Sequence, residues 1–147
     1  MFRELSTDIQ PMPPPTVAKN LARVMGFLLI LLSLVAMLPN PVVGAEGYFR
    51  TNMVLNSVLL LFGVILLAFT TKGEGTATTG LYFVAMASLG LAVLGYVYLS
   101  DYPSGGEVRL FDLVVCNQED VYLMAGMAVV LVICGMMNTS SRQVIRD

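Results

Sequence analysis

Hydrophobic and polar positions fall in long blocks along this chain, with no two-residue alternation. Four apolar runs stand out, residues 22–38, 53–69, 79–99 and 121–137, and the only charged side chain in any of them is Arg23, at the very start of the first. Each run holds 17 to 21 residues, and a helix needs ~20 residues to cross the hydrocarbon core, with ~17 tolerated. Backbone facing lipid must satisfy its own hydrogen bonds, and the runs lack the dyad pattern of a membrane barrel strand, so each predicts a spanning helix. The expected fold is all-α, an integral membrane four-helix bundle.

The polar blocks divide the rest. Residues 1–21 form a tail containing Pro11, Pro13, Pro14 and Pro15, residues 22–138 the four-helix domain, and residues 139–147 a second tail. The proline run favours an extended polyproline conformation, readable either as an arm laid against a partner or as a solvated leader. The "VVGA" preceding Glu46 resembles a signal-peptide cleavage site. The 23-residue, proline-rich segment ahead of the apolar region is much longer than a normal leader, so no cleavage is expected. Arg3, Lys19, Arg23, Lys72, Arg142 and Arg146 lie in the two tails and the second loop, against only Arg50 and Arg109 in the first and third loops. The positive-inside rule therefore places both termini in the cytoplasm.

Membrane helices meet where small residues let backbones approach. Gly26, Ser33 and Asn40 recur every seven residues along the first helix, and Asn52, Asn56 and Gly63 share a face of the second. Ala85, Ser88, Ala92 and Gly95 mark the third, and Ala125, Ala128 and Gly135 the fourth. These faces predict helix packing. For Asn52 and Asn56 a ligand contact is the competing reading, and Asn52 could also cap its helix.

Composition narrows the chemistry. Only 12% of residues are charged, against about 25% in a soluble domain. The net charge is −2 without a basic cluster, so nucleic-acid binding has no electrostatic footprint. Histidine and tryptophan are absent, which removes the commonest haem and zinc ligand and the usual general base. The serines therefore lack an activating imidazole, and no charged residue sits at mid-membrane depth to mark an ion path. Cys116 and Cys134 would be ~27 Å apart on a helix, beyond disulfide reach. Glu119 and Asp120 precede the fourth apolar run, where acids favour a helix N-terminus. With Glu107 and Asp112 they could at most form a weak cation site unlike a calcium loop. "EVRLFDLVV" is expected to lie along the membrane interface as an amphipathic element.

One stretch carries a resemblance. Pro39, Asn40, Pro41, Val43 and Gly44, then Gly47, Phe49, Thr51 and Asn52, then Asn56 and Gly63, resemble the first half of a bacterial four-helix membrane family, domain of unknown function 4383. The resemblance implies two histidines where this chain has Leu55 and Leu59, so any role they have in relatives does not carry over. It also implies a second half that repeats the first. Asn117, Asp120 and Ala128 echo Asn52, Leu55 and Gly63, giving two pseudo-repeated helical hairpins of one orientation.

The functional expectation is a non-catalytic accessory or structural subunit of a larger membrane complex in the bacterial inner membrane. Its partners would be lipids and other membrane subunits. No cofactor is expected on side-chain ligands, although a lipid, quinone or pigment could touch the surface. The competing reading is a small homo-oligomeric transporter or channel.

Overall fold

The chain is described by a computed structural model at residues 17–39, 41–43, 48, 53–100, 108–110 and 114–143. Its helices are α1 (Val17–Ala36), α2 (Met53–Thr70), α3 (Glu74–Ser100) and α4 (Gln118–Gln143). All four are long and apolar enough to cross a membrane. The protein is therefore a multi-pass membrane bundle, as the blocks of apolar sequence predict.

Three helices, α1, α3 and α4, start ahead of their apolar blocks. α1 begins at Val17, inside the segment expected as tail. Proline is tolerated at a helix start, where an N–H has no intrahelical partner, so the proline run does not delay it. The backbone N–H groups of Ala18 and Lys19 instead donate to Glu74 Oε1, at 2.6 and 3.3 Å. α3 starts at Glu74 rather than at residue 79, directly after a turn in which Gly73 takes φ 117°. That conformation suits glycine, and three residues suffice to reverse the chain between α2 and α3. α4 starts at Gln118 and runs to Gln143, beyond both ends of its apolar block.

Part of "EVRLFDLVV" forms a strand pair. Residues 108–110 (β1) and 114–116 (β2) pair as an antiparallel hairpin in the register Val108↔Cys116, Arg109↔Val115, Leu110↔Val114. Valine and leucine at these positions suit a pleated surface, and ladder pairing satisfies backbone groups close to the membrane. The hairpin is a small addition to an otherwise all-helical fold. β1 packs on α3 and β2 on α2, which caps the bundle at the end where α3 finishes and α2 starts.

The most extensive helix contacts are α1 with α2 and α3 with α4, and the two pairs join through α2–α3, α1–α3 and α1–α4. The core between them is filled by aliphatic side chains, with Leu59, Leu66, Leu81 and Leu131 at 0% exposure. The opposite faces, including Phe27, Leu31, Leu61, Phe83, Val129 and Ile133, are exposed and apolar, as a lipid-facing surface must be.

Candidate functional site: the helix seams and the hairpin end

The α1–α2 seam is built on two glycines. A Cβ placed on Gly63 would lie 2.7 Å from both the Gly26 carbonyl oxygen and Ile30 Cγ1, and one on Gly26 would lie 3.0 Å from the Gly63 carbonyl oxygen. Neither carbonyl can rotate away as a side chain can, so Gly63 has no room for a Cβ and Gly26 only a tight fit. About two turns from Gly26, the buried Ser33 hydroxyl donates to the Asn56 carbonyl oxygen at 2.8 Å. The seam thus combines close backbone approach with one interhelical hydrogen bond, the two devices that hold helices together where lipid supplies no hydrophobic drive.

The seams of α3 with α4 and with α2 use a different device. A Cβ on Gly135 would meet the Tyr82 ring at 2.9 Å, and one on Gly80 would meet Phe69 Cβ of α2 at 2.8 Å. Glycine here makes room for an aromatic ring rather than for backbone. Ser88, buried between the helices, returns its hydroxyl to its own helix at Val84 O, 2.8 Å away.

Of the residues singled out in the sequence, Gly26, Ser33, Asn56, Gly63, Ala85, Ser88, Ala92, Gly95, Ala128 and Gly135 are buried, and Ala125 is half-buried. Asn52, Asn40 and the prolines Pro11, Pro13, Pro14 and Pro15 lie outside the described residues. Leu55 and Leu59, where the resemblance implies histidines, are core residues at 3% and 0% exposure. Hydrocarbon fills the space an imidazole would take.

Two features were not read from the sequence. Glu74, on α3, caps the start of α1 from 55 and 56 residues away, so one carboxylate serves two adjoining helix N-termini. Both macrodipoles favour an anion there, yet nothing local in the sequence ties Glu74 to Ala18. Asp120 was read as an ordinary first-turn acid and is instead fully buried. It forms a reciprocal capping box with Asn117: the Asn117 N–H donates to Asp120 Oδ2 at 3.1 Å, and the Asp120 N–H donates to Asn117 Oδ1 at 2.8 Å. The Asn-x-x-Asp spacing signals such a box, but not the burial. Asp120 Oδ1, Asn56 Oδ1 and Glu74 Oε2 are buried acceptors without a hydrogen-bond partner.

Among the described residues, no group of three His, Cys, Asp or Glu could hold a metal ion. Cys134 is a free, buried thiol. The arrangement packs helices and, at the hairpin end, buries one carboxyl group.

The family described as Domain of unknown function (DUF4383) matches residues 19–137. The chain belongs to the DUF4383 family. That match takes in both helix pairs, so this DUF4383 member carries the family's domain from the start of α1 to the end of the apolar part of α4. Neither the curated proteins nor the solved structures contain a match to it.

Proposed function

We propose that this DUF4383 member is a non-catalytic accessory subunit whose outward helix faces pack against a larger membrane complex. The observation that carries the reading is a division of labour between inside and outside. The interior is filled, with leucines at 0% exposure and α1 and α2 in backbone contact at Gly26 and Gly63. What the bundle offers to another molecule is its outer surface. On that surface Gly90 of α3 and Gly126 of α4 are exposed, with nothing within 4 Å of a built Cβ. The Tyr82–Gly135 contact sets the register of the two antiparallel helices, and by that register Gly90 and Gly126 lie within about one residue rise, ~1.5 Å, of the same level. Small residues facing outward let a partner helix approach closely, whereas lipid gains little from them.

In this reading the termini and the Thr71–Gly73 turn face the cytoplasm of a bacterial inner membrane, following the Lys and Arg distribution. The segment with Pro11, Pro13, Pro14 and Pro15 is the part of the sequence offered to a partner in this reading. Lipid, quinone or pigment held by a neighbour would contact the apolar faces without a side-chain ligand from this chain. Extraction in mild detergent tests the reading: the protein should co-purify with partner subunits at a fixed stoichiometry. Recovery only as a monomer or homo-oligomer would overturn it. A transporter of homo-oligomers makes the opposite prediction, flux in liposomes from the purified chain, lost on Asn56→Leu.

A further inference from the structure

Asp120 is the residue whose surroundings the packing reading does not explain. It is 0% exposed, its Oδ2 is taken by the Asn117 N–H, and its Oδ1 is buried with no donor in reach. The uninterrupted apolar run of α4 begins at the next residue, Val121, so the carboxyl sits at the boundary between membrane and hairpin end. A fully buried carboxylate with one bare oxygen has lost its water for a single N–H bond at a helix start, a heavier penalty than a neutral acid meets in the same place.

We infer that Asp120 is a proton-binding site, its Oδ1 taking up a proton as the bundle closes and releasing it when the first turn of α4 opens to water. On protonation an O–H bond forms at Oδ1, while Oδ2 keeps the Asn117 N–H. A proton fits better than a metal ion because a metal needs several oxygen ligands. Asn117 Oδ1 is already engaged by the Asp120 N–H, and the described residues hold no three-acid cluster.

Among the described side chains, no cation lies at this end of the bundle. Glu119, adjacent in α4, is the only other carboxylate on that helix among the described side chains. Of the elements packed against α4, α1 carries only Lys19 and Arg23 and α3 only Glu74, all toward the opposite end of the bundle. Toward the hairpin end α3 adds the phenols Tyr96 and Tyr98, and β1, which packs on α3, includes Arg109. The consequence is a proton-sensitive latch at the start of α4, independent of whether the outward faces bind a partner.

Infrared spectroscopy of the purified full chain tests this. An ordinary aspartate titrates near pH ~3.9 and is ionised by about pH 6. At about pH 6 the wild type should show the carbonyl stretch of a free carboxylic acid, absent in Asp120→Asn and retained in Glu74→Gln and Glu119→Gln. No such band in the wild type, or the same band in Asp120→Asn, overturns the inference. If Asp120→Asn does not fold, the wild type decides alone. A proton held more tightly by the folded than the unfolded chain makes stability fall as pH rises through the titration. The melting temperature should then drop between about pH 4 and about pH 6, the span between an ordinary aspartate and the raised value of about 6 that burial gives Asp120, and a flat profile there rules the site out.

Discussion

At the scale of single residues, the glycines divide into those the fold needs and those it leaves bare. Gly63→Ala should destabilise the bundle by about 1–3 kcal/mol, the usual cost of overpacking, because its Cβ would press on the Gly26 carbonyl at 2.7 Å. Gly135→Ala should cost less, since the atom it meets is the far end of the Tyr82 ring. Gly90→Ala and Gly126→Ala have open space and should be neutral or gain up to about 1 kcal/mol from helix propensity. Circular-dichroism melts in detergent check the order, as the chain has no tryptophan to report by fluorescence. Equal losses at Gly63 and Gly90 would mean that the α1–α2 crossing is misplaced. Ser33→Ala removes the donor to the Asn56 carbonyl and should cost about 0.6–1.7 kcal/mol, the range for interhelical hydrogen bonds in membranes. The seven-residue spacing of small residues made the glycine positions legible in the sequence. Which backbone atom each one meets was not, because that depends on the crossing of two helices far apart in the chain.

At the scale of elements, helix ends are where sequence and structure part. The apolar blocks define the spanning segments, but the ends are set by polar partners that hydropathy does not see. α1 starts early because Glu74 meets the N–H groups of Ala18 and Lys19. α4 starts early because Asn117 and Asp120 cap each other. The first tie spans more than fifty residues and has no local signature, while the second lies within one turn and can be read once Asn-x-x-Asp is recognised. Glu74→Ala should leave the bundle folded and speed hydrogen exchange at the Ala18 and Lys19 amides, with little change deeper in α1. Unchanged exchange at those two amides would remove Glu74 as the cap. Asn117→Ala should cost about 1 kcal/mol, typical of a lost N-cap. The β1–β2 hairpin was hidden for another reason. Three-residue strands are too short for periodicity to show, and they persist by packing on α2 and α3.

At the scale of the whole molecule, two helix pairs close on each other and leave the outer faces free. The orientation proposed from the lysines and arginines is open to a direct check. In a variant with Cys116 and Cys134 replaced, a cysteine at Lys72 should react with an impermeant maleimide only from the cytoplasmic side, and one at Tyr48 only from the outside. The reverse pattern would invert the topology. The central claim, that this protein acts through its outer surface, is tested most directly by photocross-linking from Gly90 and Gly126 in native membranes. The account predicts one heterologous membrane protein joined at both positions, the same one in repeated preparations. That product should be lost when the unlabelled position is changed to Phe, while the melting temperature stays unchanged. Adducts to lipid alone, or only to further copies of the same chain, would contradict it.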